Sequence, residues 1–386
     1  MAVAMLRLKR GRERARVHPW IFKGDVADVG GVEPGDAVTI VDAAHHLVGR
    51  GFFNPRPALC CRVLTREDEP LDAAFFARRI RAAIALRGAG TTLGRLVWSE
   101  ADSLPGLVVD RYGDVLAIQC LTLGMARQRA PVIDAVRAAV GDLSVFSADD
   151  PVSAALEGFA PERGWVDRPG PDAVTVEEDG VKLRVTLGSG QKTGLYLDQR
   201  ANHRRVTETA HGRTVLDAFA YTAAFACHAL ARGARQAVCI ESSPDALATA
   251  RENLALNDAS DRATLVAANV FDELRRLERD GARFGLVVLD PPPFALSRAA
   301  LDAAARGYKE INLRAMRLLE PGARLATFSC SHHVSEAMFE EICRDAAADA
   351  GVNLRVVETL TQSADHPVLL TVPETRYLKG LLLERV

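Results

Sequence analysis

Lysine is scarce in this chain: six of its 48 basic residues are Lys and the other 42 are Arg. That bias accompanies an abundance of Ala and reflects base composition more than function. Cysteine supplies no framework either. The seven thiols, Cys60, Cys61, Cys120, Cys227, Cys239, Cys330 and Cys343, are odd in number, scattered, and contain no C-x-x-C pair. Such spacing excludes a disulfide scaffold or a zinc site as the basis of the fold and suits a reducing compartment. No run approaches the roughly 18 apolar residues of a membrane helix, and MAVAMLRLKRGRERAR lacks the apolar core of a signal peptide. A soluble cytoplasmic protein with no membrane partner and no metal is expected. Net charge is only −2, which excludes nucleic-acid binding through bulk charge, so any such surface must be local. What is present is an ordinary globular mixture, 48% hydrophobic and 25% charged over 386 residues, enough for two or three domains.

The pattern changes twice along the chain. Residues 1–70 show short β-like runs, AVTIV at 37–41 and LCCRVL at 59–64, between turn-rich stretches, which predicts a small all-β domain. Its first 23 residues carry seven Lys/Arg against one acid and end in His18, Trp20 and Phe22. Basic side chains beside aromatics suit a phosphate backbone and unstacked bases, which nominates Arg10, Arg12, Arg14, Arg16, His18 and Trp20 as RNA contacts. A solvated surface strand is the plainer reading of the same charges.

Residues 71–187 predict an α+β middle domain with a helix over 71–87, a strand over 107–121, a helix from 131, and a hairpin turning at Asp179-Gly180. No chemistry is concentrated there, so it reads as a spacer or platform. From 188 to 386, apolar strands at 214–219, 236–241, 263–271, 284–290 and 324–330 alternate with helices, then 354–360 and 377–386 close the chain. Alternation of this kind predicts a parallel sheet covered on both faces. By analogy with class I methyltransferase folds, which are Rossmann-like and seven-stranded, the last strand is expected to run antiparallel.

In an open α/β sheet the ligand lies beyond the carboxyl ends of the strands, and here those ends carry chemistry. The first strand ends in Asp217-Ala218-Phe219-Ala220-Tyr221 without the G-x-G-x-x-G that a dinucleotide pyrophosphate needs, which favours S-adenosylmethionine as cofactor. The second ends in Glu241 followed by Ser242, with the acid placed for ribose hydroxyls or as a helix-capping surface acid. The third ends in Asn269-Val270, where the amide suits an adenine edge or a turn. The fourth ends in Asp290-Pro291-Pro292-Pro293-Phe294, where successive prolines fix a donor-poor turn able to present a carboxylate and bare carbonyls to a planar base. The fifth ends in Ser329-Cys330-Ser331. A thiolate at Cys330 could add to C6 of a pyrimidine and activate C5, whereas most cysteines are small buried hydrophobes. Before the sheet, the glycine-rich stretch 188–200 bears Lys192, Tyr196, Asp198 and Arg200, suited to a zwitterionic amino acid.

GQKTGLYLDQR, VLDAFAYTAAF, LDPPPFA, RGYKEINLRAM, TFSCSHHV and ADHPVLLTVPETRYLKG together resemble the RlmI-like family of bacterial 23S ribosomal RNA large-subunit methyltransferases. KRGRERARVHPWIFKGDV resembles that family's PUA domain, and EADSLPGLVVDRYGD its EEHEE middle domain. The resemblance implies methyl transfer to C5 of a cytidine, with Cys330 as nucleophile, Asp290 on the N3/N4 edge of cytosine, and Glu241 on the cofactor ribose. It implies 23S rRNA as partner, naked or in an assembling subunit; a homodimer is compatible with the sequence. This sequence differs from the family at Pro293, where Lys is usual, at Ala223-Ala224, where Gly-Gly is common, and at Asn269, where an acid is common. The alternatives are methylation at guanine N7 with a structural Cys330, and a non-catalytic RNA-binding or ribosome-assembly factor.

Overall fold

The computed structural model describes residues 4–12, 15, 17–88, 90–188, 193–295 and 297–386. The chain divides into two compact units. One comprises Met1–Val174, Val185–Leu197 and Ala364–Thr375; the other comprises Thr175–Arg184, Asp198–Ser363 and Arg376–Val386.

The first unit begins with β1 (Met5–Leu8), β2 (Trp20–Phe22), β3 (Val26–Val29), β4 (Ala37–Val41), β5 (Leu47–Phe53) and β6 (Leu59–Thr65), which form one sheet in the order β2-β6-β5-β4-β1-β3. Alternation sets its inner face: Leu6 and Leu8 are buried with Ile21, Val38 and Ile40, while Met5 faces out. Helix α1 (Ala73–Arg87) follows, its N-cap Asp72 accepting the Phe75 amide. A second sheet then runs β11-β10-β9-β8-β7, from β7 (Leu93–Trp98), β8 (Leu107–Tyr112), β9 (Val115–Cys120), β10 (Ser144–Ala148) and β11 (Arg163–Trp165). Helices α2 (Leu123–Arg127), α3 (Arg129–Val140) and α4 (Pro151–Glu157) complete it.

The expected single strand over 107–121 is a hairpin, β8 and β9, turning at Gly113 with φ 63°. Both arms are almost wholly buried, so the apolar run continued through the turn and concealed it. Phe52 and Leu64 from the first sheet sit in the same core as Phe75, Phe76 and Val109, which places both sheets in one unit.

In the next segment, β12 (Ala173–Glu178) and β13 (Val181–Thr186) pair through a turn with Asp179 at φ 48° and Gly180 at φ 82°. Two consecutive left-handed residues are what a two-residue hairpin requires, and Asp-Gly supplies them at low cost.

The second unit contains α5 (Arg200–Thr207), β14 (Thr214–Ala218), α6 (Ala224–Ala231), β15 (Gln236–Glu241), α7 (Pro244–Leu256), β16 (Ala263–Ala267), α8 (Val270–Arg279), β17 (Phe284–Leu289), α9 (Leu301–Arg317), β18 (Leu319–Ser329), α10 (Glu336–Ala350), β19 (Leu354–Leu360) and β20 (Lys379–Arg385). Its seven strands lie in the order β16-β15-β14-β17-β18-β20-β19, and β20 alone runs against the direction of the other six. The last strand is therefore antiparallel, as expected. Helix α9 was not among the elements read in the sequence, because small and polar residues, Ala304, Asn312 and Ala315, dilute a buried face that also holds Tyr308, Ile311 and Met316. Since β14 through β18 are parallel, their carboxyl ends open on one edge of the sheet. Among the described residues no helix is long and apolar enough to cross a membrane.

Candidate active site

The loops after β17 and β18 lie side by side because the two strands pair in parallel up to Leu289↔Thr327. Every residue of β17 is buried, and the chain emerges at half-buried Asp290, buried Pro291 and exposed Pro292 and Pro293. Cys330, half-buried, sits one residue past β18 with its Sγ 3.8 Å from the Pro291 carbonyl oxygen. The other six cysteines are buried. Burial raises the thiols of Cys60, Cys61, Cys120, Cys227, Cys239 and Cys343, which leaves Cys330 as the accessible one.

Side-chain hydroxyls hold these two loops together. Ser331 Oγ accepts the Ala295 amide at 3.2 Å and lies 3.0 Å from the Tyr308 hydroxyl, and Ser329 Oγ donates to that hydroxyl at 3.0 Å. Phe294 packs on Tyr308 with ring centroids 4.6 Å apart, and on Phe271 and Phe219 at 5.8 and 6.3 Å. Phe294 thus anchors the proline turn in the core and does not project from it. Lys379, the first residue of β20, is buried and donates to the Ser331 carbonyl at 2.7 Å. Sequence reading gave no role to Tyr308, Ser329, Ser331 or Lys379. Tyr308 and Lys379 lie within RGYKEINLRAM and ETRYLKG, and their presence there was the only signal available.

The loop after β14 is held differently. Phe219, Tyr221 and Ala223 all have left-handed backbones, with φ 62°, 49° and 61°, where no glycine relieves the crowding. Glu241, half-buried at the end of β15, clamps this loop: it accepts the Tyr221 amide at 3.0 Å and the Ser242 and Ser243 amides at 2.7 and 2.8 Å. The N-cap of α7 is Ser243 and not Glu241. Asp217 is buried beneath, accepting the Ala226 amide at 3.1 Å. Burial, with the charges of Asp290 and Glu241, pushes its carboxyl up to about 7. Asp217 shapes the loop from below and presents no surface to a ligand. The carboxylates of Glu241 and Asp290, on the strand ends either side of β14, suit a cationic nucleoside, a sulfonium with a free amine, and disfavour a polyphosphate.

Other candidates fall elsewhere. Asn269 is exposed and caps α8 by accepting the Phe271 amide at 2.9 Å, while the Val270 side chain belongs to the core. Asp198 is buried and accepts the Tyr377 hydroxyl at 2.6 Å, so it serves packing. Tyr196 is half-buried in the first unit, and Arg200 is half-buried with its Nε 3.8 Å from Glu178. Lys192, Arg14 and Arg16 lie outside the described residues. Arg10 and Arg12 are exposed, and Arg12 pairs with Asp25 at 2.9 Å. His18 corrects the RNA-contact expectation: it is 2% exposed, with Nε2 3.0 Å from Glu374 and Nδ1 accepting the Trp20 amide. Trp20, half-buried, donates its indole N–H to Glu100 at 2.9 Å.

Glu178, His203 and His228 are buried with ligand atoms close enough to hold a metal ion. Their proton arrangement points elsewhere. Arg232 donates to His228 Nδ1 at 3.1 Å, which assigns the ring proton to Nε2, 3.1 Å from Glu178 Oε1. His203 Nδ1 lies 2.8 Å from the same oxygen. Burial lowers His228 against the pull of Glu178, in keeping with a neutral ring. Burial would raise Glu178, but the two histidines outweigh it and hold its carboxyl well below the usual range. The cluster reads as a buried polar brace of β12, α5 and α6, in which His203 hydrogen-bonds Glu178 and His228 Nε2 lies close to the same oxygen.

Residues 161–383 match the S-adenosylmethionine-dependent methyltransferase family model, and residues 5–66 match the PUA-like domain. The chain is 40% identical over 389 residues to Ribosomal RNA large subunit methyltransferase I of Shewanella frigidimarina, covering 98% of each chain. It is 40% identical over 384 residues to the protein of that name from Salmonella arizonae, covering 97% of this chain and 95% of the relative. A crystal structure of a methyltransferase complexed with SAH superposes with TM-score 0.85 at 18% identity, over 98% of this chain and 99% of that one, a likeness of fold. A full-length match at this identity, together with carboxylates and a thiol on the expected strand ends, establishes that the chain belongs to the S-adenosylmethionine-dependent methyltransferase family that includes Ribosomal RNA large subunit methyltransferase I.

Proposed function

We propose that this protein methylates C5 of a cytidine in 23S ribosomal RNA, in the cytoplasm, through a covalent adduct with Cys330. In this reading residues 1–70 bind RNA, with Arg10 and Arg12 exposed for that purpose; 71–187 form a platform; and 188–386 carry the transfer. The observation that carries it is the placement of the one accessible thiol against the proline turn that follows Asp290, on the strand ends next to the carboxylate cluster. S-adenosylmethionine supplies the electrophilic methyl group. Glu241 is the residue to hold its ribose, through Oε2, which accepts the Tyr221 amide and keeps a lone pair, whereas Oε1 already takes the Ser242 and Ser243 amides.

Cytosine C5 is a poor nucleophile until the ring loses aromatic character. Addition of Cys330 Sγ to C6 forms a C–S bond and moves the ring electrons toward C5 and the N3/O2 side. Asp290, entering as the carboxylic acid, gives its proton to N3 and accepts from the N4 amine, which neutralises that charge. C5 would then take the methyl group as the sulfonium S–CH3 bond breaks and S-adenosylhomocysteine leaves; loss of the C5 proton to water re-forms the C5–C6 double bond and breaks the bond to Cys330 Sγ, returning Cys330 as thiolate.

Incubation with labelled S-adenosylmethionine and unmodified 23S rRNA, followed by nucleoside digestion and mass spectrometry, tests the proposal. Labelled 5-methylcytidine is expected. Labelled 7-methylguanosine would retain the family and remove the covalent step, and absence of label on both rRNA and ribosomal particles would favour a binding factor.

A further inference from the structure

The side chain of Lys379 is an unusual feature of the nucleophile's surroundings. The residue is only 6% exposed, it sits opposite Ser329 in the β18–β20 pairing, and its Nζ donates 2.7 Å to the carbonyl of Ser331, the residue directly after Cys330. Among the described residues no carboxylate forms an ion pair with it. A buried ammonium without a counter-ion is costly, and proteins retain one where an anion is present or develops nearby.

Two acidic groups face it. Glu336, at the start of α10, is exposed and lies 3.6 Å from Arg376, so its charge is shared and solvated. Cys330 is the other, on the same turn as the carbonyl that Lys379 grips. Tyr308 approaches from α9, but its hydroxyl is committed to Ser329 and Ser331, and burial raises it. His332 and His333 follow Cys330 and are exposed. Burial lowers Lys379 to about 8, while Cys330 and then Glu336 act to raise it. At neutral pH the side chain still carries its charge.

We propose that Lys379 is the positioning residue that supports the Cys330 thiolate, placing a fixed cation beneath the S-C-S turn and making the thiol nucleophilic. The thiol proton leaves to water, Lys379 stays protonated, and the same cation favours departure of Cys330 as thiolate. The functional meaning rests on Cys330 being the nucleophile, but the electrostatic pairing can be measured without turnover.

The test is the pH dependence of Cys330 alkylation by iodoacetamide, quantified on its peptide by mass spectrometry in the full-length protein. The wild type should reach half-maximal rate clearly below the roughly 8.5 of a free thiol. Lys379→Met should raise that midpoint by about one unit and slow labelling at pH 7 about tenfold, and Lys379→Arg should restore it. A wild-type midpoint at or above that of a free thiol overturns the inference even if the Met variant fails to fold, and so does an unshifted midpoint in a folded Met variant. A Cys330→Ala enzyme that still forms 5-methylcytidine would overturn the nucleophile assignment while leaving the alkylation profile to decide the pairing on its own.

Discussion

The two halves of the seven-stranded sheet end in loops built by opposite means. After β14 and β15 the chain is shaped through its backbone: three non-glycine residues adopt left-handed conformations, and one carboxylate, Glu241, gathers three amides. After β17 and β18 side chains do the holding, through the hydroxyls of Ser329, Ser331 and Tyr308, the ring of Phe294 and the ammonium of Lys379. The β14–β15 half should therefore respond to changes in charge and backbone preference, and the β17–β18 half to deletion of individual groups.

Cys330→Ala should break the comparison most strongly. On the proposed mechanism, methyl transfer should fall roughly 10³-fold or more, because a cytosine ring would then have no other route to an activated C5. Calorimetric affinity for S-adenosylmethionine should stay within about twofold, and loss of both together would show that the two halves are not separable. Glu241→Gln comes next. Hydrogen bonds to a charged group are worth about 1.5–3 kcal/mol, so cofactor affinity should drop roughly 10- to 100-fold with Cys330 alkylation unchanged.

Asp217→Asn sharpens the picture through pH. The folded carboxyl is raised from 3.8 to about 7, so its contribution to stability is fully present below about pH 4 and is lost as pH rises through 7. The Asn variant carries no such loss and still accepts the Ala226 amide. At pH 8 without cofactor its thermal midpoint should exceed that of the wild type by several degrees, on the order of 2 kcal/mol, and the gap should close at pH 4. Equal midpoints at pH 8 would show that Asp217 is not strained by burial. The smallest effect belongs to Ala223→Gly. Relief of a left-handed alanine is worth about 1 kcal/mol, a gain of a few degrees by calorimetry, with activity retained. A loss of stability instead would mean that this backbone is fixed by its surroundings and not by residue preference.

Much of the sheet was legible because its signals are local. Alternating apolar strands and helices marked β14 to β18, and Asp179-Gly180 marked a hairpin turn that closes on those two residues. The strand-end residues Asp290, Cys330 and Glu241 were legible because parallel strands must open on one edge. Hairpin β8–β9 was missed because its turn is flanked by buried apolar arms, and α9 because alanine carries little hydrophobic contrast. His18 and Asp198 were read as ligand contacts because polar residues near a motif look alike in sequence; burial against Glu374 and Tyr377 makes them structural joints.

The sequence by itself determined the strand and helix alternation, the residues at each strand end and the family, because these depend on short-range pattern and on residue identity. Only the tertiary structure decided that Lys379 would lie buried against the Ser331 carbonyl, 48 residues away in the chain, and that Glu178 would be shared by His203 and His228. Such contacts join segments with no local signature, and they form only once the antiparallel β20 and the packing of α5 and α6 have met the entropy cost of bringing them together.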